Sequence, residues 1–148
     1  MLIRHVSQND QMEWLRMRSA LWSHASADEH RAEMAEQLAD EKSFAMFVAD
    51  RGNGQLCGFL EASLRRYADG CDTSPVGYLE GWFVDDDVRR QGVGGQLVKA
   101  AEQWALDQGC QEMASDCDIA NDVSFRSHLA IGYAEVERLI HFRKSLVP

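Results

Sequence analysis

Proline is scarce in this chain, with Pro75 and the terminal Pro148 the only two, and no proline-rich linker, repeat or low-complexity segment divides it. Long apolar runs are missing too: no stretch approaches the roughly 20 residues of a membrane span. The N-terminus lacks the basic-then-apolar pattern of a signal peptide, so the expectation is a soluble, cytoplasmic protein. Positive charge is short, with 15 Lys and Arg against 24 Asp and Glu and a net charge of −9. That balance argues against nucleic acid or an anionic membrane as partner and favours a cationic one. The four cysteines, Cys57, Cys71, Cys110 and Cys117, show no C-x-x-C spacing and no close histidine pair. Neither a metal site nor a disulfide is expected, and free thiols follow.

What remains is one domain, residues 1–148, with an ordinary 45% of apolar residues and enough chain for one substantial core. Residues 2–6 read as a first strand. A helix runs from the cap residues at 7–10 to about Trp22, with Trp14, Met17, Arg18 and Leu21 on one side. A second helix starts at Ser26-Ala27-Asp28 and covers residues 30–40. Residues 44–49 and 56–65 form a hairpin turned by Arg51-Gly52-Asn53-Gly54. A polar loop, 66–75, leads to a strand at 76–84. Residues 91–108 form a helix, 111–115 a strand and 121–131 a short helix, and two closing strands are expected at 133–136 and 139–144. Strands in succession, followed by alternating strand and helix, imply a mixed α/β sheet with helices on both faces.

The organising stretch is 78–98. An apolar strand ends in Asp85-Asp86-Asp87, and Arg89-Arg90-Gln91-Gly92-Val93-Gly94-Gly95 opens an amphipathic helix. Helix-start N–H groups lack partners within the helix, so a glycine-rich turn before them suits an anion. A nucleotide P-loop needs Lys-Ser/Thr after its second glycine, where this chain has Gln96-Leu97. A dinucleotide fingerprint needs a third glycine, where Leu97 stands. Arg89-x-x-Gly92-x-Gly94 after an apolar strand resembles the pyrophosphate loop of the GNAT family of acetyl-CoA-dependent N-acetyltransferases. The element order resembles the GNAT fold over nearly the full length. The resemblance implies acetyl-CoA as co-substrate, its pyrophosphate on Arg89, Arg90, Gln91, Gly92, Val93, Gly94 and Gly95, and its pantetheine arm along Phe83 and Val84. It also implies a backbone N–H near Phe83 and Val84 as donor to the thioester carbonyl.

Glu80 is the candidate base. Strand alternation puts Tyr78, Glu80 and Trp82 on one face, and a carboxylate within an apolar central strand is costly without a task or a partner. It takes the proton directly, takes it through water, or chiefly holds the ammonium. In Asn121-Asp122-Val123-Ser124-Phe125-Arg126-Ser127-His128, residues Asn121, Ser124 and His128 fall on one helical stripe, with Leu129 expected to pack inward. Similar proteins carry Asn, a small residue and Tyr at this spacing, then Gly and an aromatic, as in Gly132-Tyr133. His128 stands where that tyrosine protonates the thiolate. It is either the acid or a structural histidine.

Four stretches resemble the aminoglycoside 6′-N-acetyltransferases: residues 70–76, Leu79-Glu80-Gly81, 112–116 and 135–138. Polycationic aminoglycosides suit a cleft containing Asp72, Glu80 and Asp116. Asp72 also reads as a turn former and Asp116 as a helix cap. Trp22 reads as a core lid or a substrate wall. The resemblance further implies a homodimer. Alternative acceptors are another small amine, such as a polyamine or amino sugar, or a peptide N-terminus. A non-catalytic acetyl-CoA-binding module is the third reading, and Glu80 speaks against it.

Overall fold

Continuous apolar runs too short for core helices mark strands covered on both faces. In the computed structural model, which describes residues 1–148, β2 (Phe44–Asp50) is buried at all its inner positions and β3 (Leu56–Arg65) along most of its length. They pair antiparallel. β1 (Leu2–His5) flanks β2, β4 (Val76–Val84) runs antiparallel to β3, and β5 (Met113–Ser115) runs parallel to β4. The sheet order is β1-β2-β3-β4-β5. These elements belong to the first of two compact units, Met1–Asp116 and Cys117–Pro148.

Helices cover both faces of the sheet. On one side lie α1 (Gln11–Leu21) and α2 (Ala27–Leu38). Their Trp14, Met17 and Met34 meet Met46, Val48 and Phe59 of the sheet in one buried cluster. Ser26 caps α2 by accepting the Glu29 N–H at 3.1 Å. On the other side lies α3 (Val93–Asp107), with Val93, Leu97, Val98, Ala101 and Ala105 buried at helical spacing. Close approach there depends on glycine: a Cβ on Gly58 would sit 3.2 Å from Leu97, and one on Gly77 2.8 Å from Ala105. The helix expected at 91–108 and the strand expected at 111–115 are trimmed at their ends; the other elements of this unit lie within a few residues of their expected places.

Two irregularities shape β4. Glu61 of β3 faces Gly81 while Ala62 faces Leu79, so Glu80 is an extra residue with no cross-strand partner, a β-bulge. β5 pairs only with Gly77, Tyr78 and Leu79. Beyond Leu79 the side of β4 turned away from β3 is an open strand edge.

In the second unit, α4 (Asp122–Ala130) is capped by Asn121, whose side chain accepts the Ser124 N–H at 3.0 Å. The closing strands expected at 133–136 and 139–144 are not formed. A strand needs a neighbour for its N–H and C=O groups and a surface for its apolar side chains. Here Val136, Leu139, Ile140 and Phe142 stay exposed, Phe142 at 92%. Leu129 does not pack inward either, because α4 buries no residue at all. No helix of the protein is long and apolar enough to cross a membrane.

Candidate active site

The bulge turns Glu80 out of the apolar strand rather than into it. Its side chain is 32% exposed, and both oxygens are engaged. Oε1 accepts from the Ser63 hydroxyl at 2.6 Å and from Arg65 Nε and Nη2 at 3.1 and 2.8 Å; Oε2 accepts from Nη2 at 2.9 Å. The expectation of a buried strand carboxylate is therefore corrected. So is the shared face. Tyr78 and Glu80 do meet the same guanidinium, since Arg65 lies 3.4 Å over the Tyr78 ring. Trp82 instead packs beside Gly94 at the start of α3, because one extra residue resets the alternation. The Tyr78 hydroxyl donates to Asp116. Burial, then that bond, pushes the phenol far up its scale, so it keeps its proton.

Glu80 borders a cavity of about 430 Å³ lined also by Trp22, His24, Glu33, Gln37 and Glu61. The buried acid of this region is Glu61, on β3. It accepts from Arg18 Nη1 with both oxygens, from Trp14 Nε1 at 2.8 Å and from Gln37 Nε2 at 2.9 Å. Arg18, on α1, is 1% exposed and also binds Glu33 and, at 3.3 Å, Nδ1 of His30. An arginine only donates, so His30 Nδ1 accepts and Nε2 carries the hydrogen that reaches the Trp22 carbonyl at 3.1 Å. Gln37 Oε1 is buried without a donor. Sequence reasoning found neither this network nor Glu33.

Trp22 is part of the core and also borders the cavity. It packs on Phe59 with ring centroids 6.0 Å apart, and it lines the cavity. Its indole lies directly over Gly81, where a Cβ would come within 2.3 Å of it. The Arg18 guanidinium sits 4.7 Å from the same ring. Asp116 joins Glu80 through Tyr78 and Arg65. Asp72 stands apart, in an exposed loop fastened by Glu112, which accepts the N–H groups of Asp72 and Thr73 at 2.9 and 2.8 Å. Those bonds, led by the one from the Thr73 hydroxyl, hold the Glu112 carboxyl below the usual range.

The loop before α3 is built around positive φ. Arg90 has φ 62° and Gly92 φ 83°, the latter at the helix N-cap. A Cβ on Gly92 or Gly95 would meet nothing within 4 Å, so this side of the turn is open, whereas Gly94 packs on Trp82. Together with Gln91 and Val93 they present first-turn N–H groups that α3 itself does not use. Arg89 is partly occupied, donating from Nε to the Val84 carbonyl at 3.0 Å and pairing with Asp86 at 2.8 Å. Phe83 and Val84 lie on the open edge of β4. The arrangement offers an open helix start and a β4 edge that no strand pairs, its Val84 carbonyl taken by Arg89, in the same unit as a cavity lined by three carboxylates and Arg18.

In the second unit, His128 Nδ1 lies 2.7 Å from the Ser124 carbonyl. A carbonyl only accepts, so Nδ1 carries a hydrogen, and a proton released from Nε2 comes from the imidazolium. The His128 ring meets Tyr133 edge-on at 5.9 Å. Asn121, Ser124 and His128 are thus joined by local bonds along one helix.

An unpaired strand edge, an open helix start and a carboxylate at a bulge thus lie within one stretch of chain, residues 80–95. The acetyltransferase (GNAT) family model matches residues 10–133, and the chain belongs to that family. Within it, the chain is 44% identical to the aminoglycoside N(6′)-acetyltransferase type 1 of Klebsiella aerogenes, over 98% of this chain and 97% of that protein. It is 38% identical to the protein of the same name from Stenotrophomonas maltophilia, over 99% and 94%. Among solved structures it superposes on AAC(6′)-Iy in complex with a bisubstrate analogue, CoA-S-monomethyl-acetylneamine, with a TM-score of 0.91 and 39% identity, covering 97% of each chain. The apo aminoglycoside 6′-N-acetyltransferase AAC(6′)-Ig of Acinetobacter haemolyticus gives a TM-score of 0.92 at 38% identity, covering 99% of this chain and all of that one.

Proposed function

We propose that this protein transfers the acetyl group of acetyl-CoA to the 6′-amine of an aminoglycoside, a modification that confers resistance to the drug. The supporting observation is the cavity beside Glu80, where Glu33, Glu61 and Glu80 gather around Trp22, with Arg18 pairing the first two and Arg65 the third. The exposed oxygens of Glu33 and Glu80 suit an ammonium group, and the names of the relatives supply the acceptor class.

In this reading the loop Arg89, Arg90, Gln91, Gly92, Val93, Gly94 and Gly95 holds the pyrophosphate, and Asn121 and Ser124 also contact the co-substrate. The pantetheine arm extends the open edge of β4 at Phe83 and Val84. A backbone N–H there polarises the thioester carbonyl as its oxygen becomes negative. Glu80 receives the ammonium and accepts its proton, directly or through water. The freed nitrogen attacks the carbonyl carbon, the C–N bond forms, and the C–S bond breaks. His128 as imidazolium returns a proton to the thiolate. Trp22 walls the acceptor ring, and Asp72 and Asp116 engage further ammonium groups. The chain acts as one domain, residues 1–148, a reading supported by a family match that continues past Asp116 to residue 133. It works in the cytoplasm, without metal, nucleic acid or membrane, as a homodimer.

Thiol release from acetyl-CoA with kanamycin A, which carries a 6′-amine, against paromomycin, which carries a 6′-hydroxyl, tests the acceptor. Turnover with the first and none with the second is expected. Equal turnover would assign the reaction to another amine, and turnover with neither would direct it to a different small cation.

A further inference from the structure

Nothing in the β4 ladder fixes Glu80. It is the bulge residue, without a cross-strand partner, and its side chain is held only by other side chains. The two oxygens are treated unequally. Oε1 has three donors, the Ser63 hydroxyl and two N–H groups of Arg65; Oε2 has one, from Arg65 Nη2. A carboxylate oxygen has two lone pairs. Oε1 is therefore spent, and Oε2 retains capacity for one more donor.

Arg65 is itself held from below. Its guanidinium lies on the Tyr78 ring, close enough for a strong cation–π contact, and Tyr78 is buried and anchored through its hydroxyl to Asp116. It is the last residue of β3, so its backbone is in the ladder even though its side chain is 42% exposed. A planar fork, stacked on one side and bound along its edge, is a brace rather than a mobile counter-ion.

We propose that Arg65 is a positioning residue for the acetyl-transfer reaction: with Ser63 it saturates Oε1 of Glu80 and so presents Oε2 to the acceptor amine. This rests on the assignment of Glu80 above. Lysine at position 65 keeps the charge but has no rigid fork to bind both oxygens while stacked on the ring.

The test is steady-state kinetics on wild type, Arg65→Gln, Arg65→Lys, Glu80→Gln and the double variant Arg65→Gln/Glu80→Gln, with thermal melts of each. Arg65→Gln is expected to lower kcat about tenfold or more through misplacement of Glu80, with the KM for acetyl-CoA unchanged. Arg65→Lys restores only part of the loss. In the Glu80→Gln background the Arg65→Gln change costs nothing further, because its effect acts through that carboxylate. The same loss in both backgrounds, or a gain in kcat when Arg65 is removed, overturns the proposal. An impaired Glu80→Gln beside a normal Arg65→Gln overturns it while leaving Glu80 in place. A fully active Glu80→Gln removes the assignment of Glu80 and this proposal with it.

Discussion

At the scale of single residues, two carboxylates on neighbouring strands have opposite fates. Glu61 is sealed in with Arg18, Trp14 and Gln37, while Glu80 is turned outward by a bulge. Removing one partner of a buried pair leaves the other charge uncompensated, so Glu61→Ala is expected to cost about 3–5 kcal/mol. Urea unfolding followed by tryptophan fluorescence measures it, and a change below about 1 kcal/mol, the worth of an exposed pair, would show that Glu61 is not the partner of Arg18. The argument that singled out Glu80, a lone acid among apolar neighbours, applies equally to Phe59-Leu60-Glu61-Ala62. The periodicity of the first helix had already placed Arg18 on its buried side, so a cation in the core was legible and its partner was not. Pairing across α1 and β3 depends on register and packing, and neither is a property of one segment. Glu33 and His30 carry no local signal, being a polar helix face until α2 docks.

Among the elements, the strand–turn–helix unit from Val76 to Asp107 was the most legible. Its apolar run, glycine turn and helical stripe each point to the same structure from local chemistry. Two details were not legible. The bulge at Glu80 arises from a mismatch in residue count between β3 and β4, which alternation within either strand cannot reveal. The segment 133–144 has the apolar content of strands, but content does not supply a neighbour to pair with. A specific expectation attaches to Gly92 at φ 83°. Gly92→Ala places a Cβ in open space but at a left-handed backbone, at a cost of about 1–2 kcal/mol. Gly92→Glu adds bulk and negative charge at the proposed pyrophosphate site. Calorimetric titration with CoA should find binding weakened modestly in the first and abolished in the second; tight binding to Gly92→Glu would move the pyrophosphate elsewhere.

For the molecule as a whole, apolar surface is concentrated at one end of the chain. Val136, Leu139, Ile140, Phe142, Leu146 and Val147 are each 60% exposed or more, in a protein whose other large side chains are mostly covered. Exposed apolar side chains in such number suit a contact with a second copy. Sedimentation should therefore give a particle of about twice the 16.7 kDa chain mass, and Phe142→Glu should halve it. A monomeric wild type would end the homodimer reading. In the proposed reading the open edge of β4 and the glycine turn serve the co-substrate, and the acids around Trp22 serve the acceptor. Between these two duties Glu80 holds an unusual place in the chain. Because no partner strand depends on it, position 80 is placed by the side chains of Ser63 and Arg65 and not by the ladder. The placement of that carboxylate can therefore be retuned at positions 63 and 65 while the register of the sheet stays the same.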